Sequence, residues 1–279
     1  MRQTIAHIKQ SLTPLYGKAE TDALIRIIFE HIMGYSTVDI ILHKDTELSS
    51  FVKQKIDNVI AELLQHRPIQ YIFGEAPFYG LNFKVNRHTL IPRPETQELV
   101  QMIVNENTAT DLRVLDIGTG SGCIACSLAR SLKFAQVSAV DISSDTLTVA
   151  RENAERLKVT VNFSECDILT ANPHADSFDI IVSNPPYICE QERVDMEQNV
   201  LDYEPDSALF VPNEDPLRFY RAITKYSQKS LPTNGKLYFE INSLYYRDVV
   251  SLMREHSFED VIALRDYKGN YRFVKGVKV

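Results

Sequence analysis

The sequence predicts an α/β protein, a doubly wound and mostly parallel sheet preceded by a small all-helical amino-terminal domain. Three observations predict it. From Leu112 onward, short apolar runs rich in β-branched residues alternate with amphipathic helical stretches, as in a parallel sheet covered on both faces. The first run ends in a glycine turn, Gly118-Thr119-Gly120-Ser121-Gly122, and the second ends in an acid, Asp141. Residues 1–73 instead carry apolar positions at helical spacing.

In the helical part, Ile5, Ile8, Leu12 and Leu15 share one face, as do Leu24, Ile27, Ile28 and Ile32, and later Val52, Ile56, Val59, Ile60, Leu63 and Leu64. Thr21 with Asp22, Ser36 and Ser49 suit caps or turns. Pro68 is read as the end of the last of these helices. The alternation around Gly80, from Phe78 to Val85, predicts a β-hairpin that joins the helical part to the rest. Pro94 suits the first position of a helix through Leu99, Val100 and Ile103. Arg93 and Glu95 either pair on the surface or border a cleft. The boundaries expected are 1–73 helical, 74–93 hairpin linker and 94–279 α/β.

Within the α/β part, Val114 to Ile117 form the first strand and Ala139-Val140-Asp141 end the second. Ser143 or Ser144 caps a helix through Leu147, Ala150, Ala154 and Leu157. A third strand lies around Val159 to Phe163. Ile180, Ile181 and Val182 form a fourth, with Phe178 just before it. A helix through Leu217, Tyr220, Ile223 and Tyr226 follows. The Asn234-Gly235 turn then leads into Lys236 to Ile241, and a helix around Val249, Val250 and Met253 and two strands close the chain. That makes seven strands.

The chain has 279 residues, 44% of them hydrophobic, enough for two domains or one large one. A net charge of −7 argues against attachment to nucleic acid by bulk charge. There is no basic or apolar leader at Met1 and no apolar run long enough to span a bilayer, so a soluble, cytoplasmic protein is expected. Residues 1–73 hold eight basic and eight acidic residues, a poor phosphate-binding surface. Of the four cysteines, Cys123 and Cys126 fall one turn apart on a helix and read as packing positions. No second Cys or His pair completes a zinc site, and no metal is expected.

The glycine turn and Asp141 suit a nucleoside, with Asp141 placed for ribose hydroxyls. Two details argue against a dinucleotide. The spacing is G-x-G-x-G rather than G-x-G-x-x-G, and Asp116 sets a carboxylate beside the turn. A pyrophosphate would be repelled there and a cationic amino-acid tail attracted, which points to S-adenosyl-L-methionine. The plainer alternative is that Asp116 only bonds backbone amides at a strand end. Asp167, after the third strand, is placed to accept from the adenine amine or is an ordinary loop residue.

The fourth strand stops at Asn184-Pro185-Pro186-Tyr187. Two prolines end the ladder, and Pro185 holds Asn184 out of helical dihedrals. The Asn184 side-chain carbonyl can accept from an NH2 group, as can the Pro185 main-chain carbonyl. Tyr187 offers a flat face. Such a loop would hold a planar, conjugated NH2, either an amide or the exocyclic amine of a base.

Together Phe78-Tyr79-Gly80-Leu81, Ile91-Pro92-Arg93-Pro94-Glu95-Thr96, Asp116 to Gly122, Asn184 to Tyr187, Tyr203-Glu204-Pro205 and Arg265-Asp266-Tyr267 resemble the HemK/PrmC release factor glutamine methyltransferases over nearly the whole chain. The resemblance implies a seven-stranded Rossmann-like methyltransferase sheet. It implies S-adenosyl-L-methionine as donor and S-adenosyl-L-homocysteine as product. It implies as acceptor the glutamine amide in the Gly-Gly-Gln motif of peptide chain release factors; the helical domain is then either a substrate-docking domain for that protein or a packing domain. By position, Asp116, Gly118, Thr119, Gly120, Ser121, Gly122, Asp141, Asp167, Ile168 and Asn184 would bind cofactor. Asn184, Pro185, Pro186 and Tyr187 would bind the glutamine, with Asn184, Pro185 and Tyr187 at the chemistry. A monomer acting without nucleic acid or membrane is expected. The chain departs from the family at Asn242 and Tyr245, where Gly and then Gln are usual, at Ile168 in place of an aromatic, and at Gln97 in place of a common Glu. These departures bear on the cofactor pocket. The rival readings are a methyltransferase of amines in DNA or RNA, a binding module that retains the fold, and an NAD oxidoreductase.

Overall fold

A computed structural model describes residues 1–172 and 177–279. They divide into two compact units, residues 1–74 with Glu197–Tyr203, and Glu75–Met196 with Glu204–Val279.

The smaller unit is helical. Helix α1 (Arg2–Met33) is broken at Gly17, whose φ of 72° and ψ of 171° leave the helix, and the Thr21 hydroxyl donates to the Gly17 carbonyl at 2.6 Å. A capping box between Ser36 and Asp39 opens α2 (Thr37–Leu42), and the Ser49 hydroxyl accepts from the Val52 amide to open α3 (Ser50–Leu63). Pro68 differs from expectation. The preceding helix has stopped at Leu63, and Pro68 is the N-cap of a further short helix, α4 (Ile69–Phe73). A residue without an N–H loses nothing at a helix start, where that donor has no partner. Ile8, Leu12, Ile28, Phe29, Ile56 and Leu63 form the core of this unit.

The larger unit begins with a hairpin, β1 (Glu75–Phe78) and β2 (Leu81–Lys84). Tyr79 and Gly80 both have positive φ, 49° and 70°, as a two-residue turn matched to strand twist requires. Phe78 and Phe83 meet edge to face and are buried with Leu99 and Val100 of α5 (Pro94–Glu106), so the hairpin is part of this unit's core. Pro94 opens α5, as its fixed φ favours.

There follow β3 (Arg113–Ile117), α6 (Cys123–Ser131), β4 (Gln136–Asp141), α7 (Ser144–Leu157), β5 (Val161–Glu165) and β6 (Ile180–Ser183). Next come β7 (Ile188–Cys189), α8 (Gln198–Tyr203), α9 (Asp206–Leu209) and β8 (Phe210–Val211). The chain closes with α10 (Arg218–Ser230), β9 (Lys236–Glu240), α11 (Tyr246–Glu255), β10 (Phe258–Arg265) and β11 (Tyr271–Lys278). The main sheet has seven strands in the order β10-β11-β9-β6-β3-β4-β5. The strands from β9 to β5 are parallel, and β11 and β10 are antiparallel. This is the Rossmann-like sheet expected. The segment from Ile188 to Val211 is the part for which the sequence predicts no element. It holds a small parallel pair, β7 with β8, and short helices.

One apolar core, including Leu128, Val137 and Val182, covers one sheet face, and a second, including Ile181, Tyr220, Phe239 and Met253, covers the other. Cys123 and Cys126 are buried in the first, and burial pushes both thiols up, Cys126 to about 12, so they pack as small apolar groups. Chain order reverses between β3 and β6, so a crevice opens at the carboxyl ends of these two strands. Among the described residues, no helix is long and apolar enough to cross a membrane.

Candidate active site

A cleft of about 330 Å³ lies at the carboxyl ends of the parallel strands, within the size range of nucleoside-sized ligand pockets. Gly118, Thr119, Gly120 and Ser121 line it from the turn after β3, and Asp141 and Ile142 from the end of β4. Asp167 and Ile168 contribute from the loop after β5, and Ser183, Asn184, Pro185 and Pro186 from the end of β6.

The glycine turn has two kinds of position. Gly118 and Gly120 have φ of 73° and 56°, and a Cβ at either would meet nothing within 4 Å. Gly122 has φ of 79°, and its Cβ would press on the Ala150 methyl at 3.2 Å and touch the Cys126 sulfur at 3.5 Å. The first two leave the backbone open to a ligand, and the third lets α6 and α7 approach. Gly122 is accordingly not among the cleft-lining residues. Asn153, fully buried on α7, braces the turn from behind. Its amide donates to the carbonyls of Ser121 and Lys84, both at 2.9 Å, and its carbonyl accepts the Lys84 amide at 2.7 Å.

Asp141 is half-buried, and its carboxylate accepts the amides of Gly120 at 3.0 Å and Ser143 at 3.1 Å. Burial raises its pKa, and those amides oppose the rise. The Asp167 carboxylate accepts the Leu169 amide at 2.9 Å, as in an Asx turn, while the residue also lines the cleft.

Asp116 does not line the cleft. It is fully buried beneath the turn, where one carboxylate oxygen accepts from the Thr119 hydroxyl at 2.7 Å and the Ala125 amide at 3.2 Å. Its other oxygen, Oδ1, has no hydrogen-bond partner among the described residues. Burial pushes its carboxyl up to about 7, and the neighbouring Asp141 charge adds to the rise. Direct contact with a cofactor tail is therefore not its position. Its carboxylate bonds the turn and the start of α6 from beneath and does not reach the cleft.

Asn184 lies one residue beyond the Ser183–Phe239 pair of β6 and β9, beside Glu240. Its amide NH2 donates to the Thr96 hydroxyl oxygen at 3.4 Å. Thr96 donates to Glu240 Oε2 at 2.7 Å, and the Tyr187 hydroxyl donates to Glu240 Oε1 at 3.4 Å. Tyr187 is thus turned away from the cleft, which it does not line, and packs against the second core. Its hydroxyl is held at a buried carboxylate, while the residue as a whole stays partly exposed. Glu240 is 1% exposed, and burial pushes its carboxyl up to about 7 against the pull of Thr96 and Arg272.

Sequence reasoning assigns Thr96 and Glu240 no role. The available signal is Glu240 itself, an acid that ends the apolar run Leu237-Tyr238-Phe239 in a central strand. Arg93 and Glu95 do not pair with each other. Arg93 lines the cleft and donates to Glu204 at 2.6 Å, and Glu95 binds Lys268 at 2.6 Å. Glu204 also accepts the Ile91 amide at 3.1 Å.

Three of the family departures, Asn242, Gln97 and Tyr245, lie outside the cleft lining. Asn242 donates to the Tyr187 carbonyl at 3.2 Å and to both Glu192 oxygens, anchoring the loop from behind. Gln97 accepts the Tyr79 amide at 2.9 Å and holds the hairpin turn. Tyr245 reaches the Cys189 sulfur at 3.3 Å.

Comparison with known proteins adds the following. The PrmC N-terminal domain family model matches residues 3–74, and the Methyltransferase small domain model matches residues 94–203. A release factor glutamine methyltransferase of Bacteroides thetaiotaomicron is 46% identical over 98% of this chain and 99% of its own length. Proteins of the same name from Flavobacterium psychrophilum and Streptococcus pneumoniae are 43% and 38% identical, over 95% and 98% of this chain and 95% and 97% of their own. Among solved structures, a methyltransferase from Pyrococcus furiosus shares the fold with a TM-score of 0.53 at 17% identity, covering 80% of this chain and 98% of that one.

Proposed function

The chain belongs to the release factor glutamine methyltransferases, and we propose that it transfers a methyl group from S-adenosyl-L-methionine to the side-chain amide nitrogen of the glutamine in the Gly-Gly-Gln motif of peptide chain release factors. The observation that carries the reading is Asn184. It is a cleft-lining amide at the end of β6 whose NH2 is already engaged by Thr96, which leaves its carbonyl for an incoming N–H.

The cleft suits the donor in kind. Gly118 and Gly120 present bare backbone, Asp141 presents carboxylate oxygens to a diol, and Ile142 and Ile168 present apolar surface to a base. Asp116 sets negative potential behind the turn for a cationic tail. When bound, S-adenosyl-L-methionine supplies an electrophilic methyl on a positively charged sulfur.

An amide nitrogen is a poor nucleophile because its lone pair is delocalised, and the amide rotational barrier of about 18–20 kcal/mol measures that delocalisation. Asn184 Oδ1 and the Pro185 carbonyl accept the two N–H groups, polarise them and aim the nitrogen. By analogy with oxyanion donors, each such bond contributes about 2.7–4 kcal/mol in the transition state. Alignment with the methyl–sulfur axis contributes up to about 7–11 kcal/mol more. Buried Pro185 and half-buried Pro186 hold the loop stiff. Tyr187, in this reading, fixes the loop through Glu240 rather than touching the substrate.

Tritiated donor tests the proposal. Label is expected in release factor and not in DNA or RNA, and Asn184→Ala is expected to bind donor in calorimetry while losing transfer. Label in nucleic acid, or full turnover by Asn184→Ala, would overturn it.

A further inference from the structure

We infer that Thr96 and Glu240 are positioning residues that set which end of the Asn184 amide faces the acceptor, through a chain of hydrogen bonds with a fixed direction. The inference rests on the reading of Asn184 as the acceptor of the substrate's N–H.

The direction follows from donor and acceptor capacity. An ionised carboxylate only accepts. Tyr187 and Thr96 must then both donate to Glu240, at 3.4 and 2.7 Å. The single hydroxyl proton of Thr96 is spent there, so toward Asn184 its oxygen can only accept. At 3.4 Å it faces the amide, and only the NH2 end of Asn184 can meet it. Oδ1 is then turned to the cleft, the orientation that methyl transfer to an amide needs. The reverse orientation would set two lone pairs against each other.

The same logic runs backwards when Glu240 is neutral. A Glu240 protonated on Oε2, the oxygen that lies 2.7 Å from Thr96, donates to Thr96 and still accepts from Tyr187 on Oε1. Thr96 then donates onward, and the end of Asn184 it meets is Oδ1. The NH2 now faces the cleft and repels the acceptor's N–H. A glutamine at position 240 with its NH2 toward Thr96 and its carbonyl toward Tyr187 presents Thr96 with a donor, as the protonated acid does, and carries a second N–H besides. Tyr187 stays protonated throughout, since burial and the Glu240 charge raise its pKa. The groups facing Glu240 are Thr96 and Glu95 from α5, Tyr187 from the loop after β6, Tyr220 from α10 and Arg272 from β11. Glu95 is paired with Lys268, and Arg272 with Asp266. Burial of Glu240, opposed by Thr96 and Arg272, places its titration at about 7.

The test compares kcat, KM and donor affinity across pH for wild type, Glu240→Gln, Thr96→Val and the double variant, with thermal melts to establish folding. Wild-type kcat is expected to fall about tenfold for each pH unit below about 7. Glu240→Gln should lose at least about tenfold in kcat at alkaline pH, with donor affinity unchanged, and lack that acid limb. Thr96→Val disconnects the chain, so it should lose only a few-fold and also lack the limb. The double variant should be more active than Glu240→Gln alone, because no hydroxyl forces the amide backwards. A double variant no better than Glu240→Gln, or an acid limb that survives in Thr96→Val, would overturn the inference. Asn184→Ala run alongside separates the two levels. If it turns over normally the underlying reading of Asn184 fails, and if it is inactive while Glu240→Gln is fully active only the relay fails.

Discussion

Replacing Asp116 by asparagine removes a charge that the folded chain buries completely, with one of its two oxygens left unbonded among the described residues. The bonded oxygen is the one that accepts from Thr119 and Ala125. Burial is the larger cause of a carboxyl raised from its ordinary 3.8 to about 7, with the Asp141 charge adding to it. Because the folded form holds the proton more tightly than the unfolded one, this group favours folding fully below about pH 4. That contribution is lost as pH rises through about 7. Between about pH 5 and pH 8 the loss is roughly 3 kcal/mol at 1.36 kcal/mol per pKa unit. Asparagine does not titrate, and its carbonyl can keep both bonds. The raised carboxyls of Asp141 and Glu240 are present in both proteins and largely cancel in a comparison. Urea denaturation at the two pH values reads the effect as a difference of differences. Asp116→Asn should gain roughly 3 kcal/mol on wild type in going from about pH 5 to about pH 8. A variant-minus-wild-type difference that does not change with pH would refute the reasoning. The same charge ties stability to function, so wild-type affinity for S-adenosyl-L-methionine should rise with pH through about 7 and that of Asp116→Asn should not.

The glycine turn and its acid give two further predictions. Gly120→Ala and Gly122→Ala each meet a left-handed backbone penalty of about 1–2 kcal/mol. Only Gly120→Ala puts a methyl in the cleft, so calorimetry should show it losing donor binding, whereas Gly122→Ala should lose more in thermal melts through its press on Ala150. Asp141→Asn turns an NH2 toward one of the two amides its carboxylate accepts and removes a charge from the cleft. Losing one charge-assisted bond from Asp141 to a donor hydroxyl is expected to cost about 1.5–3 kcal/mol, a weakening of donor affinity by roughly 10- to 150-fold in the same titration.

The sheet is legible because its signals are local. A strand such as Ile180 to Val182 is apolar throughout, and the turns after β3, β6 and β9 carry glycine, proline or asparagine. The glycine turn and Asp141 are readable for the same reason, since each ends an element that announces itself. What escapes is set by pairings across the chain. Thr96 meets Glu240 across 144 residues, and Arg93 meets Glu204 across 111, so the nearer Glu95 is the natural but incorrect partner. Asp116 and Tyr187 are visible as residues but not as orientations. Period-two alternation says that Asp116 points off the sheet, not that it lies beneath the turn rather than in the cleft. Asn242 reads as a departure near the cofactor, yet its bonds run to Glu192 and the main chain at Tyr187. The short helices between Cys189 and Val211 have too few turns to show a period.

The central claim is that the loop from Asn184 to Tyr187 presents a glutamine amide to the donor. The most direct measurement is mass spectrometry of a peptide chain release factor after incubation with S-adenosyl-L-methionine and either the wild-type chain or Asn184→Ala. The account predicts one added methyl, on the glutamine of the Gly-Gly-Gln motif, with the wild type and none with the variant. A methyl on another residue, or equal methylation by both proteins, would contradict it.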